Sequence, residues 1–343
     1  MRAFGINYDT GFVSAGTTTR EPFDPATVRR EMEIIRTELG CDAVRVTGGD
    51  RDRLATAARL AAEAGLEVWY CPFTNDLTQD ELLDFLTDSA TRAEALRRTG
   101  ASVVFLTGSE ISLMTAGFLP GDSFAERATV LADPPRARVE LPALPARVNA
   151  FLGTATAAVR ARFGGPVGYA SLPFEGVDWS LFDVVATDAG YRDATNAAQL
   201  GAGLRALTGH GKPAAVTEFG CGTFRGAGAV ASRGDAVIDW DERTARPAGF
   251  TEPVVRDERE QADYLRELYG VFDEAGLDAA FAYTFARYDL RHDPDADDRD
   301  FDKASFGIVT VLPEGRTGTT YPGLPWEPKA AFHALAEYGR SRV

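Results

Sequence analysis

The feature that most constrains this chain is an alternation. Short apolar runs recur from one end to the other, each followed by a polar loop and a helical pattern. Eight runs read as strands: Ala3–Tyr8, Ala43–Thr47, Leu66–Cys71, Ser102–Thr107, Pro166–Ser171, Asp183–Thr187, Pro213–Glu218 and Ala279–Phe285. Helices fill the gaps. Asp24 caps the first, Pro25 suits its opening turn and Gly40 ends it, while Val28, Met32, Ile35 and Leu39 share one face. Arg51–Ala64 reads as a helix stopped by Gly65, and Thr78-x-x-Glu81 is a capping box opening a helix through Arg98. Further helices are expected over Ala143–Phe163, Thr195–Leu207, Glu258–Ala275 and Pro328–Tyr338.

Strands that alternate with helices bury their faces in one of two ways: a closed (β/α)8 TIM barrel or an open doubly wound sheet. No G-x-G-x-x-G follows the first strand, which weighs against the dinucleotide-binding form of the open sheet. The expectation is therefore a single TIM-barrel domain spanning 1–343. Three connections are long, Ile111–Leu141, Cys221–Asp257 and Tyr288–Glu327, after strands 4, 7 and 8. Each follows a strand, so in a barrel all three emerge at the C-terminal face, where barrel enzymes build their sites.

That register gives meaning to the segment AAVTEFGCGT. It sets Glu218 at the end of strand 7, and TGSE sets Glu110 just beyond strand 4. Far apart in sequence, the two carboxylates meet at one mouth. Paired carboxylates suit glycoside hydrolysis: one protonates the departing oxygen, and the other attacks the anomeric carbon or activates water. Other polar strand-end residues join them as candidate substrate contacts: Asn7, Arg45, Asn75, Ser109, Asp188 and Tyr191. Trp240, in the loop after strand 7, is a candidate sugar platform. As alternatives, Glu218 and Arg45 serve as a structural ion pair, Tyr191 as packing, and Asn7, Asn75 and Asp188 as turn or cap residues.

TGSEIS and VTEFG resemble the two glutamate motifs of the clan A glycoside hydrolases, and the resemblance covers most of the chain. It implies a retaining (β/α)8 enzyme with Glu110 as acid/base and Glu218 as nucleophile. Arg45 matches the clan's frequent active-site arginine, and Tyr191 falls where a tyrosine often touches the nucleophile. The closing stretch FGIVTVLPEG with WEPKAAFHAL is similar to the clan's last segment. Two positions depart. Ser109 stands where the clan usually has an Asn that contacts the sugar 2-OH. The Trp that often ends strand 8 is missing, the nearest aromatics being Phe285 and Tyr288. The departures leave open an unusual glycoside, a transglycosidase, or a catalytically silent barrel that binds carbohydrate or a partner.

The remaining composition narrows the partners. A net charge of −15 repels phosphate backbones, so no nucleic acid is expected. No run approaches the about 20 apolar residues of a membrane span. No secretory leader is read at the N-terminus, and the expected location is cytoplasmic. His210, His292 and His333 do not cluster, no C-x-x-C occurs, and Lys212, Lys303 and Lys329 avoid strand ends. Neither a metal nor a Schiff base is therefore expected, and no cofactor is assigned; the expected partner is a small glycoside or oligosaccharide. The acidic run His292–Asp302 reads as a solvated lid rather than a calcium loop, and Gly220–Ala229 as a flexible rim loop.

Overall fold

The computed structural model describes residues 1–241 and 243–342. Eight parallel strands close into a barrel. They are β1 (Ala3–Asp9), β2 (Ala43–Gly48), β3 (Glu67–Pro72), β4 (Val103–Ser109), β5 (Val167–Ser171), β6 (Val185–Thr187), β7 (Ala214–Phe219) and β8 (Ala279–Ala282). Closure is direct: β1 pairs with β2 through Gly5 and Ala43, and with β8 through Ala3 and Ala279. Around them lie α1 (Pro25–Thr37), α2 (Arg51–Glu63), α3 (Gln79–Arg97), α4 (Leu144–Arg160), α5 (Leu200–Thr208), α6 (Glu258–Ala275) and α7 (Ala330–Ser341). No helix among the described residues is long and apolar enough to cross a membrane.

The helix starts follow from local chemistry. Asp24 accepts from the Ala26 and Thr27 N–H groups at the head of α1, and Thr78 and Glu81 form the capping box of α3. The weak helix expected from Thr195 begins only at Leu200, after turns held by Asp193 and Asn196. Asp193 accepts from the Thr195 and Asn196 N–H groups, an alternative to helix that short polar side chains offer. Likewise the last helix starts at Ala330, because Trp326–Pro328 pairs with Val309–Val311 as a two-stranded ribbon.

Small side chains let the barrel close around a packed interior. Ala3, Ala43, Ala170, Ala186, Ala215 and Ala279 surround Trp69 and Phe281, whose rings lie 4.8 Å apart. Side chains alternate along a strand, so Arg45 and Asp188 point the same way as Ala43 and Ala186, one level nearer the C-terminal face, and Asn7, opposite Arg45, points the same way as Ala3 two levels below it. Two strands break the alternation there. The pairing of β4 with β5 shifts between Leu106 and Ser109, where Gly108 has φ +99°. The pairing of β7 with β8 shifts between Val216 and Phe219. Such irregularities re-aim side chains at a barrel rim, and they fall beside Ser109–Glu110 and Glu218.

The long connections are built rather than open. The one after β4 holds helical segments Ile111–Met114, Phe124–Ala132 and Pro134–Glu140, and the one after β7 holds the ribbon Ile238–Asp241 with Arg246–Phe250. A ribbon after β1, Val13–Ser14 with Thr17–Thr18, adds a connection that the sequence reading did not single out. The glycine-rich segment expected to be a flexible rim loop is packed down at its start. Thr223 is buried, and its hydroxyl donates to the Ser305 carbonyl at 2.9 Å. The acidic run expected to be solvated is buried at its end. Asp300 and Asp302 each lie 2.9 Å from Arg256, and Lys329 reaches Asp302 at 2.9 Å. These pairings, invisible in composition, tie the loop after β8 to the one after β7.

Candidate active site

The site is a stack of two layers on the barrel's filled interior. Arg45 organises the lower one. Its Nη1 donates to Glu218 Oε1 at 2.7 Å, to Asn7 Oδ1 at 3.1 Å and to the Thr217 carbonyl at 3.1 Å. Its Nη2 donates to Ser109 Oγ at 3.0 Å, and the guanidinium lies 3.1 Å from Asp188. Ser109 in turn donates its hydroxyl to Asp188 at 2.5 Å. Asn7 donates to the Thr217 carbonyl at 2.8 Å, fixing the irregular end of β7. All of these residues are buried.

Above them stand the two glutamates. Glu218 is 8% exposed and also accepts from the Tyr191 hydroxyl at 3.3 Å. Glu110 is partly exposed. Burial pushes both carboxyls up, and the Asp188 charge adds to the push. For Glu218 the result is about 7, because Arg45 and Tyr191 donate to its charged form. Glu110 is held well above the ordinary carboxylate range, with Glu218 and Glu175 as further negative neighbours. Arg45 opposes the rise at both, but its hydrogen bond goes to Glu218. The arrangement therefore supports one carboxyl that keeps its proton and one that gives it up more readily.

The other residues named from sequence divide. Ser109 and Asp188 are buried against Arg45, and the Ser109 hydroxyl has its proton committed to Asp188. Asn75, in the loop after β3, donates to Asp76 at 3.0 Å and lies 3.4 Å from Ser14 in the ribbon after β1. Trp240 sits partly buried on its ribbon, with its indole N–H on the Asp235 carbonyl at 3.3 Å. Phe285 is a correction, whereas Tyr288 is largely buried yet edges a groove of about 950 Å³ at the barrel mouth. Phe285 is fully buried against Trp326, and the Tyr288 hydroxyl donates to buried Glu31 at 2.7 Å. Glu31 also receives Arg20 at 2.7 Å and Trp326 at 2.8 Å, a buried polar knot beneath Tyr288.

Three aromatics went unremarked in the sequence. Tyr283 follows β8 directly, is partly exposed, and has its phenol pushed up by burial and by the Glu218 charge. Phe73 follows β3, and its ring lies 5.9 Å from the Arg45 guanidinium. Phe12, from the loop after β1, packs on Phe73 at 5.2 Å and reaches a groove of about 950 Å³ lined also by Thr17, Arg246, Asp289 and Arg291. Their signal was position: each comes directly after a strand or its first turn. Among the described residues no cluster of three or more His, Cys, Asp or Glu side chains could hold a metal ion.

No family model and no curated protein matches the chain. Solved structures do. A GH113 β-1,4-mannanase superposes with a TM-score of 0.62 at 15% identity, covering 100% of both chains. A GH113 β-mannanase from Alicyclobacillus acidocaldarius in complex with ManMIm gives 0.61 at 16% identity over 99% of this chain and 97% of that one. A Bacteroides uniformis β-glucuronidase 2, a calcium-binding mutant, gives 0.56 at 13% identity over 100% of this chain and 35% of that one. The chain has a clan A glycoside hydrolase-like fold. In this clan A-like barrel the mouth lies at the C-terminal strand ends, where Glu110, Glu218 and Arg45 gather.

Proposed function

We propose that the protein is a retaining glycoside hydrolase acting on a small glycoside or oligosaccharide. The observation that carries this reading is the pairing of unlike carboxyls at one mouth. Glu218 is bonded to Arg45 and Tyr191, while Glu110 makes no cap bond to its own turn. The mannanase and glucuronidase folds it resembles add support.

In this reading Glu110 gives its proton to the glycosidic oxygen as the C–O bond breaks. The Glu218 carboxylate attacks the anomeric carbon and forms a glycosyl ester. Water then attacks the same carbon, Glu110 takes a proton from it, and the ester bond to Glu218 breaks. Burial and the Asp188 and Glu218 charges favour the protonated Glu110 that the first step needs. Arg45 and Tyr191 favour the ionised Glu218. A transglycosidase would use the same steps with a sugar hydroxyl in place of water.

The test is turnover of a panel of aryl β-glycosides by the parent, Glu110→Gln and Glu218→Gln. The expected result is cleavage by the parent, loss in both variants, and partial restoration by azide. Folded proteins with no turnover across the panel would turn the reading toward a carbohydrate-binding barrel. Ser109, which replaces the clan's usual Asn and bonds Asp188 rather than the mouth, would then be the first residue to explain.

A further inference from the structure

The turn that carries Glu110 contains an exchange of partners. Glu110 has φ +48° and stands at the N-terminal cap of the short helical turn Ile111–Met114. A side-chain oxygen at a cap can fold back and accept from N–H groups of its own first turn. That geometry would draw the carboxyl out of the mouth. Glu110 makes no such bond.

Two side chains from β5 and the loop after it take the donors instead. The Ile111 N–H donates to Tyr169 Oη at 3.0 Å, and the Ser112 N–H donates to Glu175 Oε1 at 3.1 Å. The Tyr169 hydroxyl donates to Glu175 at 2.8 Å, and the Leu172 N–H donates to Glu175 Oε2 at 2.8 Å. Both side chains are fully buried. From the other side, the Glu110 N–H donates to the Ala170 carbonyl at 3.0 Å. The backbone on each side of Glu110 is thus fastened to one strand and its loop.

We propose that Glu175 and Tyr169 are a positioning pair that caps the Ile111–Met114 turn in place of Glu110, leaving the Glu110 carboxyl free at the mouth. The consequence for turnover rests on the glycosidase reading; the capping exchange does not. Two carboxylates and one N-terminal turn have two possible pairings. The tertiary structure selects the one that gives the turn to the residue away from the mouth. The charge of Glu175 also bears on Glu110, alongside Asp188 after β6, Glu218 on β7 and Arg45 on β2, with Tyr169 and Tyr191 facing it.

The experiment uses the full chain as Tyr169→Phe, Glu175→Gln and Glu175→Ala, each checked for folding by circular dichroism. The first readout needs no activity. Carbon-13 NMR follows the Glu110 carboxyl, assigned by its loss in Glu110→Gln. Glu175→Gln removes a negative charge that favours the protonated form, so Glu110 should titrate at lower pH than in the parent. A crystal structure of Glu175→Ala should show the Glu110 carboxyl accepting from the first turn of its own helix. An unchanged titration with an unmoved carboxyl overturns the proposal whatever the enzyme does. If Glu175→Ala does not fold, Tyr169→Phe answers the structural question, because it removes the hydroxyl that joins Ile111 to Glu175.

The second readout is kcat/KM across aryl glycosides of rising leaving-group pKa. A misplaced acid should cost little with the best leaving groups and roughly ten- to hundredfold with the poorest. An equal loss across the series would mean a merely structural role and would also overturn the proposal. A parent without turnover whose Glu110 titration still responds to Glu175→Gln would keep the capping pair and remove the glycosidase reading.

Discussion

The ends of β4 and β7 solve the same problem differently. Both present a glutamate at a break in strand pairing. At β7 the carboxyl is bonded directly, by Arg45 at 2.7 Å and Tyr191 at 3.3 Å. At β4 the carboxyl makes no bond to the turn it heads, and the support goes to the backbone around it through Tyr169 and Glu175. Donors aimed at a carboxylate hold down its pKa, whereas burial among negative charges raises it. The difference teaches that two identical side chains on one rim are made unlike by where their hydrogen bonds are placed.

Removing each glutamate should break the comparison most visibly. For Glu218→Gln the expected loss in kcat is on the order of 10⁴-fold or more, as for loss of a covalent nucleophile. For Glu110→Gln the expected loss is about 10² to 10⁴-fold with poor leaving groups and much less with activated aryl glycosides. Steady-state kinetics on both classes of substrate would test this. Equal losses on activated substrates would sink the division of roles.

Arg45 sharpens the comparison through stability. It is a buried cation serving both Asp188 and Glu218. Arg45→Met should destabilise the fold by about 3–5 kcal/mol, because it leaves buried acids uncompensated. Urea unfolding near pH 8 would report it. A change under about 1 kcal/mol there would show that the acids do not depend on the arginine for their charge.

The pH profile follows from the directions already given. In the proposed reaction Glu218 must be ionised to attack, and its pKa is pushed up to about 7, so kcat/KM should rise as pH passes upward through that value. It should fall again at higher pH as Glu110 loses its proton. Tyr191→Phe removes a donor to the ionised Glu218, so the acid limb should move to higher pH, with a rate loss of roughly three- to tenfold. An acid limb that moves down, or not at all, would place the phenol elsewhere in the mechanism.

The smallest effect concerns spacing and the departure at Ser109. A retaining site requires carboxyls about 5 Å apart, which a crystal structure would measure; a much wider gap would favour inversion. Ser109→Ala should leave turnover within about tenfold while costing about 1–3 kcal/mol, since it orphans part of the Arg45 and Asp188 network.

How much of this was legible can be followed residue by residue. The eight strands, their parallel closure and the caps of α1 and α3 were readable, because apolar runs, Asp24-Pro25 and Thr78-x-x-Glu81 are local signals. Glu110, Glu218, Arg45 and Tyr191 were nameable because strand ends share a rim in a barrel. Phe285 was misjudged because its fate depends on Trp326, distant in sequence. Tyr169 and Glu175 gave no sign at all: a tyrosine inside a strand and a glutamate in a short loop look ordinary until both meet the Glu110 turn.

The sequence by itself determined the barrel and which strand ends share its mouth, since period and strand order are properties of the chain's own pattern. The tertiary structure decided what each of those residues does. Strand irregularities, burial and hydrogen-bond partners set a carboxyl's direction and proton affinity, and all three arise from contacts between segments that the sequence keeps apart.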